Sequence, residues 1–385
     1  MVTLIQGGHL YGPEELGWQD LLVVNGKIER IATGIKGPKE IFPELEVVNA
    51  SGKLIFPGFI DQHMHIIGGG GSGGPLTRAK EVYFRDVVKA GTTTVVGTLG
   101  TDTISRSLST LLIKAKALNQ CGLTAFIYTG SVLFPPVTLT GSVEKDIVLI
   151  AEIIGVKMGL GEPVYPRPEP RELENLVTET RRAASLSRKQ AVIHIHLAGS
   201  SPEWLDEIES ILEARGVPYQ QVVVTHVNKT PRLLERSLGY AKKGGGIDLT
   251  TCIRPPERPG SVKSSTGLKR YLEASCPLEN ITFSSDSNAT RVLDNGTIDY
   301  TRVGTLLEEF RDCVQKEGIP LPQALAVVTR NAALRLGIAH ERGRLKKGWF
   351  ADLALFTEGL ELTDLMAGGS WLLRDGIVAK LDPLE

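Results

Sequence analysis

The distribution of apolar and polar residues divides the chain into β-rich ends and a middle in which strands and helices alternate. Between about residues 57 and 340, eight short apolar segments are typical of barrel strands, and longer amphipathic segments separate them. One such segment, SPEWLDEIESILEARG, begins with a Ser-Pro-Glu helix start at Ser201 and ends at Gly216, a typical helix stop. Eight strands with helical connections predict an α/β fold, a (β/α)₈ TIM-like barrel.

Both chain ends are predicted to be β-structure. The N-terminal end contains DLLVVNGKIERIATGI, in which an Asn-Gly pair between two β-rich runs is a strong hairpin signal. The C-terminal end contains ADLALFT and SWLLRDGIVAKL, which turns at Asp375-Gly376. We therefore expect a small β-sandwich domain built from residues 1–56 and 341–385, and a barrel domain at 57–340.

A doubly wound open sheet is the alternative to the barrel. It usually has fewer strands and a Gly-rich nucleotide-binding turn after the first one. The stretch 68–71 is four glycines, but it follows a His-rich strand end and lacks G-x-G-x-x-G with an acidic residue downstream. The sequence therefore favours the barrel.

Composition narrows the class of protein. The 385 residues are 42% hydrophobic and 23% charged, which is typical of a globular chain. A net charge of −1 provides no excess of positive charge for binding nucleic acid or an anionic membrane surface. No signal peptide and no apolar run of about 18 residues is evident. The four cysteines are far apart without C-x-x-C, so we expect reduced thiols and a cytoplasmic location.

Histidines mark the carboxyl ends of several predicted strands. His63 and His65 end the first barrel strand, and His196 and His226 end the fifth and sixth. Residues two apart on a strand share a face, so His63 and His65 present both imidazoles to one side. Catalytic groups of such barrels collect at this end. By itself an H-x-H is more often a hydrogen-bonded strand end than half of a metal site.

Two further polar residues end predicted strands. Asp286 closes the eighth strand, and Lys157 ends the fourth in the apolar run IIGVKMG. An unpaired buried ammonium is costly, so Lys157 needs a partner, solvent or a modification. Carboxylation by CO₂ is one solution, because the resulting carbamate is anionic and can bridge two metal ions. Taken alone, Lys157 is better explained as a surface lysine just past a strand, and only the combination is specific.

The combination resembles a known family. The amidohydrolase superfamily, in its two-metal, carboxylated-lysine branch, is similar to this chain in FPGFIDQHMH, THVN, SSD and GRLKKGWFADLALF. The isoaspartyl (β-aspartyl) dipeptidase family is similar in GFIDQHMHIIGGGGSGGPLTR, VVGTLGTDTISR, TGSVEKD, THVNK and KGGGIDLT. The resemblance runs through most of the chain, from Val48 to Thr357.

This resemblance implies two divalent metal ions, with Zn²⁺ as the expected metal, although Mn²⁺, Co²⁺ or Fe²⁺ also accept such ligands. The implied ligands of the first ion are His63, His65, Lys157 and Asp286. Those of the second are carboxylated Lys157, His196 and His226. His194 shares a strand face with His196, and we interpret it as a core histidine or a support for a ligand, with replacement of His196 as the alternative.

The resemblance further implies cleavage of an amide or peptide bond by metal-activated hydroxide, with Asp286 as catalytic base and acid. The implied substrate-binding positions are Gly70, Gly71, Ser72, Thr101, Lys229 and Thr290. Several of them depart from the family. Ser72 replaces a Glu that holds the substrate ammonium, Val132 an oxyanion-stabilising Tyr, and Lys229 an Arg. Arg254 and Arg291 are candidate replacements, with solvated loop arginines as the alternative.

The sequence therefore predicts a metal-dependent hydrolase acting on C–N bonds, resembling a β-aspartyl dipeptidase. Hydrolysis of another amide, such as a cyclic amide or an N-acyl amino acid, is the alternative, because the substrate-binding Glu, Tyr and Arg are replaced. A non-catalytic scaffold is less favoured, since none of the implied metal ligands is missing. The expected partner is a small-molecule substrate, and the family resemblance implies a homo-oligomer.

Overall fold

The computed structural model describes residues 2–37, 43–161, 167–199, 201–255, 258–292 and 296–379. The strands in these ranges are β1 (Val2–Tyr11), β2 (Glu15–Val24), β3 (Lys27–Ala32), β4 (Glu46–Asn49), β5 (Leu54–Pro57), β6 (Phe59–Met64), β7 (Thr92–Gly97), β8 (Thr124–Gly130), β9 (Ile153–Leu160), β10 (Val192–Leu197), β11 (Val222–Thr225), β12 (Gly246–Thr250), β13 (Ile281–Ser284), β14 (Thr290–Val292), β15 (Ile298–Tyr300), β16 (Leu353–Phe356), β17 (Leu362–Ala367), β18 (Ser370–Arg374) and β19 (Ile377–Val378). The α-helices are α1 (Phe84–Lys89), α2 (Leu108–Cys121), α3 (Val143–Leu149), α4 (Pro170–Ser187), α5 (Glu203–Arg215), α6 (Pro231–Lys242), α7 (Ser264–Glu273), α8 (Thr305–Gln315), α9 (Leu321–Val328) and α10 (Arg330–Leu336).

The eight strands β6 to β13 form one parallel sheet in chain order. Its first and last strands meet, which makes it a barrel. The backbone N–H of Asp286 donates to the carbonyl of His63 at 3.0 Å, and the N–H of His65 donates to the carbonyl of Ser287 at 3.1 Å. The predicted (β/α)₈ fold class is confirmed. These closing bonds also fix His63, His65 and Asp286 relative to one another.

The helices between the strands follow the sequence signals. Helix α5 begins at Glu203 and ends before Gly216, whose φ of 57° lies in the left-handed region, as the sequence predicts. Helix α4 starts with a capping box between Glu169 and Glu172 and with Pro170 in its first turn. Its buried side chains recur with helical spacing and are Leu173, Leu176, Val177, Thr180 and Ala183. This stripe packs the helix onto the main hydrophobic core around the barrel.

Strands from both chain ends form a second, nine-stranded sheet. Its order is β19-β18-β17-β16-β5-β1-β2-β3, and β4 pairs with β1. The antiparallel pairing of β5 with β16 joins the two ends. The predicted hairpin turn at Asn25-Gly26 has positive φ at both residues, 50° and 81°, as that turn requires. A β unit built from both chain ends is therefore present, and we keep 1–56 with 341–385, and 57–340, as the proposed domain division.

Two remaining observations concern thiols and helices. All four cysteines are free, and three of them, Cys252, Cys276 and Cys313, are buried. Among the described residues, none of the helices combines the length and the apolar character needed to cross a bilayer.

A buried ion pair ties the segment after α10 to the second sheet. Arg342 and Asp352 are 8% and 6% exposed, and their side chains are hydrogen-bonded to each other. Asp352 also accepts a bond from the backbone N–H of Gly368 at 2.8 Å. The guanidinium of Arg342 lies over the ring of Phe350, 4.1 Å from its centroid.

We expect Arg342→Met to destabilise the protein by about 3–5 kcal/mol, because it leaves the buried Asp352 carboxylate without its counter-charge. The midpoint of urea unfolding measures the effect. Arg344→Met is the matched control, since Arg344 is 39% exposed and pairs with the exposed Glu14. Its loss should cost at most about 1 kcal/mol. Equal shifts of the midpoint for the two variants would contradict the prediction.

Candidate metal centre

Three of the sequence-predicted ligands form a compact cluster at the carboxyl ends of β6 and β13. Oδ1 of Asp286 lies 3.2 Å from Nε2 of His65 and 3.4 Å from Nε2 of His63. One potential ligand atom from each residue lies within 4.8 Å of the other two. The side chains are 17%, 6% and 1% exposed. Three donors therefore converge on one shielded point, which is the arrangement that a metal ion requires.

Lys157 lies beside this cluster. Its side chain is fully buried, with Nζ 3.0 Å from Nε2 of His63 and donating to the carbonyl of Leu99 at 3.1 Å. Burial lowers the pKa of Lys157 to about 7; the negative charge of Asp286 opposes this shift and the positive charge of Lys229 adds to it. The surface-lysine interpretation is therefore wrong, since the position is enclosed by the barrel. Burial thus favours the neutral amine over the ammonium.

His196 and His226 lie next to each other, with ring centroids 4.4 Å apart. Nδ1 of His226 is hydrogen-bonded to Oγ1 of Thr250 at 2.7 Å and lies 4.0 Å from Oδ2 of Asp286. Nε2 of His226 is buried and has no hydrogen-bond partner among the residues that the structure describes. A buried imidazole nitrogen without a partner is uncommon in proteins and fits a metal-ligating atom.

Two of the candidate ligands have strained backbones. His226 has a φ of 67° and Asp286 a φ of 48°, both in the left-handed region that disfavours residues other than glycine. His226 is the first residue after β11, and Asp286 is the second residue after β13. Such strain concentrates at functional sites, where the surrounding structure enforces it.

The electrostatics of the cluster suit metal binding. Burial lowers the pKa of His63, His196 and His226 well below the usual value for histidine, and nearby cationic groups including Lys157 add to the effect. Neutral imidazole is the form that binds metal ions. Burial alone would raise the pKa of Asp286, but its hydrogen bond with His65 and the positive charge nearby, including that of Lys157, outweigh burial and lower the pKa below its usual value. Burial lowers the pKa of His65 as well, so the neutral, ligating form is favoured at all four imidazoles.

Glycines let the loop after β6 approach these side chains. A Cβ on Gly69 would lie 3.0 Å from the ring of His65, and one on Gly100 would lie 3.2 Å from it. Gly70 has a φ of 78°, and a Cβ there would collide with the hydroxyl of Thr290. Close packing against His65 thus requires glycine at 69, while Thr290 and the positive φ require it at 70.

The sequence-predicted substrate positions are distributed over this mouth. Gly70 and Gly71 lie in the glycine loop and Ser72 is exposed beyond it, while Thr101 is partly exposed in the loop after β7. Thr290 is partly buried and donates from its hydroxyl to the carbonyl of Thr77. Lys229 is 7% exposed, and its Nζ donates to the carbonyl of Leu197 at 2.5 Å.

The proposed replacements for the missing family residues have other partners. The guanidinium of Arg254 is paired with Glu308 at 2.6 Å, and Val132 is buried. The side chain of Arg291 lies outside the described part of the chain. The structure therefore does not bring a new arginine to the metal cluster within the described residues.

Two supporting residues were missed by sequence reasoning. Thr250, which holds Nδ1 of His226, ends the neighbouring strand β12, and Asp248 lies on the same strand beneath the histidines. Both sit in GGIDLTT, and polar residues in so buried a strand are the signal that points to them. Nε2 of His194 lies 2.9 Å from Nδ1 of His63, so His194 contacts a proposed ligand from behind.

Comparison with known proteins agrees with this geometry. The family model described as "Amidohydrolase family" matches residues 54–372. The crystal structure of β-aspartyl dipeptidase from Fervidobacterium islandicum AW-1 in complex with a β-Asp-Leu dipeptide is 34% identical in sequence, with 99% of each chain covered and a TM-score of 0.91.

More distant relatives also match this chain. A dihydroorotase from Aquifex aeolicus is 23% identical, over 93% of this chain and 90% of the relative. Dihydropyrimidinase from Brevibacillus agri NCHU1002 is 16% identical, with a TM-score of 0.69 over 98% of this chain and 96% of that one, which shows a common fold. With the family model matching more than three hundred residues, from 54 to 372, this chain belongs to the amidohydrolase family.

Proposed function

We propose that this protein is a two-metal amidohydrolase that hydrolyses β-aspartyl dipeptides. The observation that carries the reaction class is the convergence of His63, His65 and Asp286 around the buried Lys157, with the orphaned Nε2 of His226 nearby. The substrate class is supported by the likeness to the Fervidobacterium islandicum enzyme, which extends over 99% of both chains.

The proposed ligands divide into two sets that share Lys157. The first ion would be held by His63, His65, Asp286 and Lys157, and the second by Lys157, His196 and His226. When bound, the pair of divalent ions, with Zn²⁺ as the proposed metal, polarises the scissile carbonyl and lowers the pKa of a water molecule toward neutrality.

Lys157 fits this role only in carboxylated form, because an ammonium cannot ligate a metal and a neutral amine, with one lone pair, cannot bridge two ions. The neutral amine attacks CO₂, forming an N–C bond and releasing one proton, and the product is a carbamate with one negative charge. The site promotes this reaction because burial holds much of Lys157 in the neutral form. The carbamate carbon also requires space next to His63, whose Nε2 is 3.0 Å from Nζ.

Asp286 is the residue that moves the proton. Its Oδ1 faces Nε2 of His63 and of His65, and its Oδ2 lies 4.0 Å from Nδ1 of His226. Oδ2 is therefore the atom that accepts a proton from the attacking water and then donates it to the leaving nitrogen of the amide. The same carboxylate thereby serves as base and as acid.

Two positions of the proposed substrate pocket, Ser72 and Val132, support a second candidate substrate. A β-aspartyl dipeptide carries a free ammonium and two carboxylates, and Lys229 offers one cation for a carboxylate at the mouth. Ser72 provides no counter-charge for the ammonium, and Val132 provides no donor for an oxyanion. These two positions favour an amide without a free α-amino group, such as a cyclic amide or an N-acyl amino acid, as the second candidate substrate.

Replacement of the lysine tests the metal centre. In Lys157→Ala we expect the affinity for the metal ions to fall by more than about 100-fold, a larger effect than the loss of a group that merely supports a ligand. Hydrolysis should fall with it, and millimolar propionate should restore part of both by occupying the place of the carbamate. The number of metal ions retained after dialysis is measured by inductively coupled plasma mass spectrometry.

Lys114→Ala is the matched control for that experiment. Lys114 is also buried, at 7% exposure, but it pairs with Glu81 at 3.2 Å, away from the proposed ligands. Its metal content should equal that of the wild type. Unchanged metal content and activity in Lys157→Ala would contradict the bridging carbamate.

A panel of amides tests the substrate class. Zinc-loaded protein should cleave β-Asp-Leu at least about 100-fold faster, by kcat/KM, than α-Asp-Leu, as expected if transition-state contacts worth about 2.7 kcal/mol distinguish the two linkages. The panel also contains dihydroorotate, a hydantoin and an N-acetyl amino acid. Turnover of one of these without turnover of β-Asp-Leu would replace the proposed substrate by the second candidate.

A further inference from the structure

A second histidine lies directly behind one of the proposed ligands. Nδ1 of His63 and Nε2 of His194 are 2.9 Å apart, and both side chains are fully buried. The opposite nitrogen of His63, Nε2, faces Lys157 Nζ at 3.0 Å and Asp286 Oδ1 at 3.4 Å. His63 therefore has one nitrogen in the metal centre and the other on His194.

The chemistry of imidazole fixes the direction of this hydrogen bond. A neutral histidine that binds a metal through one nitrogen carries its proton on the other. If Nε2 of His63 is a ligand, its proton is on Nδ1 and needs an acceptor. In the part of the chain that the structure describes, the hydrogen-bond partner of that atom is Nε2 of His194. The reverse direction would leave the proton of His63 on Nε2 and block the metal.

We infer that His194 is a positioning residue for the metal centre: it accepts the Nδ1 proton of His63 and so holds that ligand in the tautomer and orientation that present Nε2 to the ion. The inference rests on the proposed metal centre. It assigns a role to a residue outside the proposed ligand set.

Neighbouring groups hold His194 in place. Its ring is stacked on that of Tyr128, with centroids 5.0 Å apart and planes inclined by 15°. In the sheet, His194 is in register with Lys157 on the adjacent strand β9. Strand β10 thus supplies one proposed ligand, His196, and two residues earlier the group that supports another.

A third metal ion is the competing explanation, because one atom each of His63, His194 and Asp248 lie within 4.8 Å of one another. The contacts argue against it. The two histidines are in direct hydrogen-bond contact at 2.9 Å. The carboxylate of Asp248 already accepts bonds from Gln62 at 2.8 Å and from the hydroxyls of Thr225 and Ser284 at 2.6 Å. The atoms that a third ion would need are thus already engaged, those of the two histidines with each other and those of Asp248 with neighbouring side chains.

Two substitutions separate the acceptor from the ring. His194→Phe keeps a ring for stacking on Tyr128 but removes the acceptor, and we expect it to weaken metal binding by about 10–100-fold. His194→Gln retains an amide oxygen as acceptor and should recover most of the affinity. Tyr128→Phe is the control, since the hydroxyl of Tyr128 has no hydrogen-bond partner in the described residues and its ring is retained.

The readouts are Zn²⁺ affinity by competition with a chromophoric chelator and the visible spectrum of the Co²⁺-loaded protein, which reports ligand geometry. Far-UV circular dichroism checks that each metal-free variant is folded. Wild-type affinity in His194→Phe, or an equal loss in His194→Phe and His194→Gln, would overturn the inference while leaving the metal centre intact. A wild-type protein that binds no metal would overturn the proposed function together with it.

A measurement on the unsubstituted protein covers the case in which His194→Phe fails to fold. In zinc-loaded protein labelled with ¹⁵N at histidine, we expect a scalar coupling across the hydrogen bond from Nδ1–H of His63 to Nε2 of His194. Its absence would contradict the inference.

Discussion

The closure of the barrel is the constraint on which the site depends. Two backbone hydrogen bonds join the end of β6 to the segment after β13. One links Asp286 to His63, and the other links His65 to Ser287, so the proposed ligands themselves make the closure. The closure brings the first and last proposed ligands together although they are more than two hundred residues apart in the chain. The intervening strands are parallel and follow in chain order. Lys157, His196 and His226, which lie at or near the carboxyl ends of their strands, are therefore at the same end of the barrel.

The chemistry of the site follows from what the barrel encloses. The barrel shields most of the surface of four imidazoles, a lysine and a carboxylate from water, and Nε2 of His226 is buried without a hydrogen-bond partner in the described chain. Burying such atoms unpaired costs about 1–3 kcal/mol each, so the arrangement is unfavourable for folding alone. Divalent ions and a carbamate would satisfy these atoms. The same buried, unpaired polar atoms that destabilise the metal-free protein therefore favour the binding of metal ions.

Sequence reasoning found what periodicity and local signals encode. Strand order, the ends of α5, the Asn25-Gly26 turn and the histidines at strand ends all depend on short segments. The burial of Lys157 depends on the stagger of neighbouring strands, which no local pattern contains, so the residue by itself resembled a surface lysine. The same holds for His194, whose partner lies four strands away, and for Arg254, whose partner Glu308 comes from α8. The sequence showed which family residues are replaced at positions 72, 132 and 229, but their substitutes depend on the packing of loops.

The most direct test of the account is the number of metal ions in the intact protein. The measurement is plasma mass spectrometry on the full chain after reconstitution with Zn²⁺ in bicarbonate and removal of loosely bound ions. The account predicts two ions per chain, because the buried donors form two sets that share Lys157. One ion would contradict the bridging lysine, and none would contradict the metal centre as a whole.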